Sequence, residues 1–236
     1  MPWLSNSSTN DTINQICDRI WLAVVQRTLR PGARLKEEVL AEIFDTTRAR
    51  VRQALAVLEQ DGLVTIFPNR GACIAEPRVE DAQDAFSARL AIEQRMVARL
   101  CRSARAEDIA ALRAHILQER AAHERGDSEA VIRLSGEFHL LIARLADAEL
   151  LLKILRMLTI RTSLITAMYQ TEATQTCGPD EHDRIVAAIE ARDEARASAE
   201  MAHHLTHLES ALRLSEAPMP VSELRAALQG VGAKQA

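Results

Sequence analysis

Three histidines stand out in this 236-residue chain for the chemistry they could do. His139 sits in "LSGEFHLLIA", with Ile142 and Ala143 on its face and Ser135 one helical turn earlier. His182 precedes Ile185, Val186 and Ile189, so it starts an apolar face. His204 lies between Met201 and Leu208. Imidazoles projecting inward from three helices can ligate a divalent ion of borderline softness, Zn or Ni. Residues four apart share a helix face, so Ser135 points into the same pocket as His139. The wide separation of the three histidines leaves ordinary packing open for each. For Arg89 the plain use is a salt bridge to Glu93, four residues on.

A second group is cationic. Arg48, Arg50 and Arg52 fall between Thr46 and Leu58 with no acidic residue among them. Basic and acidic residues balance over residues 10–76 taken whole, so positive charge is concentrated on one segment. Arginine can bond bidentately to O6 and N7 of guanine, and a helix fits the major groove. Thr46 and Thr47 stand at the start of that segment, where hydroxyls and free N–H groups suit phosphate. Arg34, upstream, can clamp the DNA backbone. Arg70 and Gly71 fall at a turn where glycine permits close approach to a minor groove. A solvated basic face is the plain alternative.

These groups need elements to position them. "NDTINQICDRIWLAVVQRTL" repeats apolar residues at helical spacing until Pro31 and Gly32 make a turn. "KEEVLAEIF" predicts a short helix, and "DTTRARVRQALAVLEQDGL" a second one capped by Thr46 or Thr47 and ended by Gly62. "LVTIFPNRGACIAE" reads as two short strands around a Pro-Asn-Arg-Gly turn. Helix, helix, helix, hairpin is the order of a winged helix-turn-helix over residues 10–76. From 80 to 212 the pattern is all-helical, with breaks near 103–106, at Gly126-Asp127, near Asp147, over 176–181 and near Asp193. Five or six antiparallel helices with a Leu, Ile and Ala core follow. The tail, 213–236, is broken by prolines and holds at most one more short helix.

Composition limits the function. Net charge is -4, which excludes a uniformly basic nucleic-acid binder but permits a local basic patch. Cys17, Cys73, Cys101 and Cys177 form no C-x-x-C pair and read as scattered reduced thiols. No run of about 18 apolar residues suggests a membrane span, and "MPWLSNSSTND" lacks the pattern of a signal peptide. A cytoplasmic protein without a membrane role is expected.

The stretch "LRPGARLKEEVLAEIFDTTRARVRQALAVLEQDGLVTIFPNRGACIA" resembles the DNA-binding domain of the GntR family of bacterial transcription regulators. Pro31, Gly32, Leu35, Leu40, Ala41, Arg48, Val51, Arg52, Ala54, Leu55, Leu58, Gly62, Leu63, Asn69, Arg70 and Gly71 match its pattern. The resemblance puts DNA contacts on Arg34, Thr47, Arg48, Ala49, Arg52 and Gly71. Thr47 replaces the common Ser, Arg50 the common Pro and Gln53 the common Glu. Asp45 stands where the turn usually has Gly, and Asp tolerates a tight turn.

Downstream, "SARLAIEQRMVARL", "LSGEFHLLIARLADAELL" and "EHDRIVAAIEARDEARASAEMAHHL" are similar to the FCD ligand-sensing domain of the FadR-type branch. Its hallmarks land on Arg89 and Glu93, Phe138 and His139, Glu181 and His182, and His204 and Leu205. The resemblance implies metal roles for His139, His182 and His204, with Ser135 where metal-holding members have an aspartate. Three imidazoles still make a site with open positions for water or an effector carboxylate. The missing negative charge should weaken metal retention. Arg89 resembles the residue that reaches the effector, so Arg89, Ser135, His139, His182 and His204 form the expected effector pocket. Without metal, the histidines and Arg89 would hold an organic acid directly.

Together these readings point to a homodimeric regulator, a repressor, that binds an inverted-repeat operator in double-stranded DNA and answers to a small organic acid or sugar acid. A metal-dependent hydrolase or lyase using the three histidines is the alternative. Only Glu181 and Glu200 offer themselves as its general base, and no H-E-x-x-H spacing occurs. A helical scaffold would leave Arg48, Arg50 and Arg52 without purpose.

Overall fold

A computed structural model describes residues 11–169, 178–212 and 228. Two compact units result. One holds the chain up to Arg78 together with Ser163–Tyr169, and the other runs from Val79 to Thr162 and continues through the last helices.

In the first unit, α1 (Asp11–Val25) turns Ile13, Ile16, Cys17, Ile20, Trp21 and Val24 into a core. Each large apolar side chain buried in this way contributes about 1.5–3 kcal/mol. The helix ends before the expected Pro31-Gly32 turn, because Arg27 takes a left-handed φ of 58° and the Leu29 N–H bonds back to the Ala23 carbonyl. Next come β1 (Arg34–Leu35), α2 (Glu37–Ile43) and α3 (Arg48–Gln60). Asp45 carries the turn between α2 and α3 at φ 44°, as its short polar side chain allows. Thr47 caps α3, its hydroxyl accepting the Arg50 N–H at 3.4 Å. Val51, Ala54, Leu55 and Leu58 recur at helical spacing, and this stripe faces α1.

β2 (Val64–Phe67) and β3 (Gly71–Ile74) form the wing, with Asn69 at φ 60° and Gly71 at φ 82° in its tip. The expectation of two strands is corrected to three. β1 pairs with β3, Arg34 opposite Cys73 and Leu35 opposite Ala72, which gives the antiparallel order β1-β3-β2. A two-residue strand has no alternation to detect, and it exists only because β3 offers it an edge. Gly32, at φ 73°, enters this strand, and a Cβ there would lie 2.5 Å from Glu76 Oε1. Gly32→Ala should destabilise the protein by about 1–2 kcal/mol, chiefly from the left-handed backbone. A urea midpoint equal to that of the native protein would contradict it.

The second unit is built from α4 (Val79–Ser103), α5 (Ala106–Glu124), α6 (Ser128–Leu145), α7 (Glu149–Tyr169) as far as Thr162, α8 (Pro179–Glu190) and α9 (Glu194–Ser210). Asp127 caps α6 by accepting the Ala130 N–H, and Asp193 caps α9 by accepting that of Arg196. Gly126 at φ 64°, Asp147 at φ 51° and Arg192 at φ 60° turn the chain between helices, and Pro179 opens α8. α4 packs on α6, α8 and α9, α5 on α6 and α8, and α8 on α9. Three of these helices, α4, α5 and α9, therefore pack around α8, which carries His182. Cys17, Cys73 and Cys101 are free thiols. Cys177 lies outside the described residues, as does the proposed tail helix apart from Leu228. Among the described residues, no helix is long and apolar enough to cross a membrane.

Candidate metal centre and nucleic-acid interface

His139 on α6, His182 on α8 and His204 on α9 converge in the middle of the helical unit, all buried. Their ligand atoms lie within 4.8 Å of one another. His204 Nε2 is 3.2 Å from His139 Nε2 and 3.4 Å from His182 Nε2. Tetrahedral ligands bonded at 2.0–2.1 Å would stand roughly 3.3 Å apart, so these two edges suit a zinc-like ion.

Each imidazole has a carboxylate behind it. His139 Nδ1 meets Glu93 Oε2 of α4. His182 Nδ1 lies 2.8 and 2.9 Å from the two oxygens of Glu119 on α5. His204 Nδ1 lies 2.8 Å from Glu181 Oε2 on α8. An Nδ1–H donated to a carboxylate leaves Nε2 as the lone-pair side, which is the arrangement a metal requires. Three such lone pairs facing one another repel unless a cation stands between them. The donor set therefore fits a metal ion, with His139, His182 and His204 as its holders. Phe138 stacks on His182 at 3.9 Å and 14°, and this fixes the ring plane.

The electrostatics agree with a neutral His139 imidazole and charged carboxylates. Burial pushes Glu93 up, but the charges of Arg89 and His139 and their hydrogen bonds outweigh it and hold the carboxyl at about 2. Burial likewise raises Glu119, but His182 and His115 outweigh it and bring the carboxyl to about 2. Glu181 sits at about 2, where hydrogen bonds and charge from His204 and His207 override its burial. Burial first, then Arg89 and His204, bring His139 down to about 3 against the pull of Glu93.

Ser135 lies half-buried on α6, one turn before His139. Its neutral hydroxyl supplies none of the negative charge that an aspartate would bring there. Glu93, Glu119 and Glu181 place that charge one imidazole away from the ligand atoms. Glu119 was not legible as a site residue, because only its register on α5 brings it to His182. His115 is half-buried, with Nε2 2.9 Å from the Leu134 carbonyl and 3.5 Å from Glu119. Its polar sequence neighbours hide a face that α6 covers. His207 is exposed, with Nδ1 2.8 Å from Glu181 Oε1, and His203 lies beside it at 6.4 Å between ring centroids.

Arg89 is 3% exposed. Its Nε donates to Glu93 Oε1 at 2.7 Å and its Nη1 to Thr162 Oγ1 at 2.9 Å. The plain salt-bridge reading therefore holds, and it is not the whole story. Glu93 joins Arg89 to His139 through its two oxygens, and Arg89 Nη2 is buried with no partner among the described residues.

In the first unit, Arg48, Ala49, Arg50 and Arg52 are exposed on the first turns of α3. Arg34 on β1 and Arg70 and Gly71 at the wing tip are exposed as well. Thr47 is exposed and engaged as the cap, whereas the Thr46 hydroxyl oxygen is buried without a partner among the described residues. Thr46 is thus turned inward, away from the phosphate role expected of it. Nor do the arginines stand clear of acid: Arg52 Nε donates to Glu37 Oε2 at 2.8 Å, and Arg48 Nη2 reaches the same atom at 3.3 Å. The acid comes from α2, so the segment's own composition hid it.

Comparison with known proteins agrees with this arrangement. Residues 84–207, more than half of the chain, match the FCD domain, and residues 12–74 match the bacterial regulatory proteins of the gntR family. The transcriptional regulator YdhC of Bacillus subtilis (strain 168) is 28% identical over 129 residues, 54% of this chain and 58% of its own length. The transcriptional repressor RspR of Escherichia coli (strain K12) is 24% identical over 191 residues, 80% of this chain and 84% of its own. A crystal structure of a GntR transcriptional regulator from Rhodococcus sp. RHA1 has a TM-score of 0.73 at 22% identity, over 89% of this chain and all of that one. Regulators on every side set aside the hydrolase, lyase and scaffold readings. The chain belongs to the gntR family of bacterial regulatory proteins and is a DNA-binding transcription regulator whose winged helix-turn-helix is followed by an FCD domain.

Proposed function

We propose that this regulator is a cytoplasmic homodimer that represses by binding an inverted repeat in double-stranded DNA and lets go when a small organic acid or sugar acid enters the FCD domain. The observation that carries the reading is Arg89. It is a buried cation whose Nη2 has no partner among the described residues, one carboxylate away from the tri-histidine centre. A buried donor without a partner is costly, and an incoming carboxylate oxygen removes that penalty through a charge-assisted hydrogen bond. His139, His182 and His204 hold Zn or Ni, and the ion when bound supplies a Lewis-acidic position for an effector oxygen. Ser135 leaves that position open where an aspartate would fill it. Repression is supported by the role in the name of RspR. Arg34, Thr47, Arg48, Ala49, Arg50, Arg52, Arg70 and Gly71 make the DNA-facing surface, two copies of which suit two half-sites. Effector and operator then influence each other through a coupling between distinct sites.

The test has two readouts. Protein purified without added metal should carry close to one ion per chain, and His182→Ala less than about a tenth of that. A native protein that stays metal-free after supplementation loses the metal reading. Small mono- and dicarboxylates and sugar acids are then titrated against a duplex that the protein has selected from a random pool. At least one should weaken binding about five- to 150-fold, and no response to any removes the effector reading.

A further inference from the structure

Among the described residues, Glu37 is the one acidic residue that ties two arginines of α3 at once. It stands in the first turn of α2, outside the residues to which DNA contact is assigned. Its Oε2 accepts from Arg52 Nε at 2.8 Å and from Arg48 Nη2 at 3.3 Å, while Glu38 Oε2 is 3.8 Å from the same Arg48 nitrogen. Hydrogen bonding from Arg52 comes first, ahead of the opposing burial, in holding the Glu37 carboxyl below the ordinary range. Exposed ion pairs of this kind add little to the stability of a fold. The arginines are more than half exposed, so these pairs are badly placed to be there for stability.

The geometry gives them another use. With Nε taken, the free donors of Arg52 are its two terminal amino groups, which have no partner among the described residues. That end-on pair is the fork that meets O6 and N7 of guanine. A long side chain held in one orientation beforehand loses less entropy when it docks. The same carboxylate competes with phosphate for both guanidinium groups and repels the phosphates themselves. Arg50, on the other side of the helix turn, is exposed, has no acidic partner among the described residues and stays available to the backbone.

We infer that Glu37 is a specificity-determining positioning residue of the DNA-binding surface: it aims Arg52 and Arg48 at bases and withholds them from phosphate. Its effect is to lower sequence-independent binding and to raise discrimination between operators. The inference rests on α3 being the base-reading helix, and it is independent of the effector and the metal.

Full-length native protein, Glu37→Gln, Glu37→Asp and Glu38→Gln are each used to select duplexes from a randomised pool, and each is titrated with salt on a mixed-sequence duplex. Glu37→Gln should lose guanine preference in the selected sites, with the ratio of selected to mixed-sequence affinity falling about tenfold. Its log K against log salt slope should steepen by roughly one to two, because one or two arginines become free to displace counterions. Glu37→Asp should keep most of the native preference and Glu38→Gln nearly all of it. A Glu37→Gln protein with native preference and native slope overturns the inference. So does a uniform loss on all duplexes with a lowered melting temperature, which would mark Glu37 as a tie between helices. A native protein that enriches no sequence would overturn the base-reading role of α3, and the role of Glu37 with it.

Discussion

Glu93→Gln should lose about 3–5 kcal/mol of folding stability in the metal-free protein, the range for breaking a buried ion pair. The side chain is almost fully buried, and it holds Arg89 with one oxygen and His139 with the other. The amide keeps the shape but removes the charge, so the Arg89 guanidinium is left buried without an anion. The amide also presents an N–H or a weaker acceptor to His139 Nδ1, which no longer selects the tautomer that turns the Nε2 lone pair inward. Metal affinity should therefore fall by about 10- to 100-fold as well. Urea unfolding of the metal-free form and competition against a zinc chelator measure the two effects separately. A loss under about 1 kcal/mol would mean that Arg89 finds another anion or water. Unchanged metal affinity would mean that His139 is oriented by its packing instead.

Arg48→Ala should weaken binding to a selected operator by about 10- to 100-fold, and binding to a mixed-sequence duplex by less than about threefold. The residue lies at the first position of α3, where helix N-terminal residues meet base edges. It is exposed and, among the described residues, tethered through one nitrogen, so its removal leaves the core stripe of Val51, Ala54, Leu55 and Leu58 untouched. Fluorescence anisotropy on both duplexes at one salt concentration decides the matter. Equal loss on both would make Arg48 a phosphate contact.

Most of the helix boundaries were legible because local chemistry sets them. Thr47, Asp127 and Asp193 cap helices with their own side chains, and Pro179 opens one. Asp45 and Gly71 sit at left-handed positions that short polar or bare residues tolerate. What failed was where tertiary contact overrode the local pattern. β1 is too short to carry a period, and the Thr46 hydroxyl turned inward.

The residue types that could ligate or bind, His139, His182, His204, Arg89 and the arginines of α3, were determined by the sequence alone, as was the helical spacing that turns each to one face. Their partners were not. Glu93, Glu119 and Glu181 come from α4, α5 and α8, and Glu37 reaches α3 from α2. Periodicity tells which way a side chain leaves its own helix, whereas a hydrogen bond between helices depends on their packing and on the axial register of one against another. That is why the carboxylates that orient the imidazoles, and the one that aims the arginines, became visible only in the folded chain.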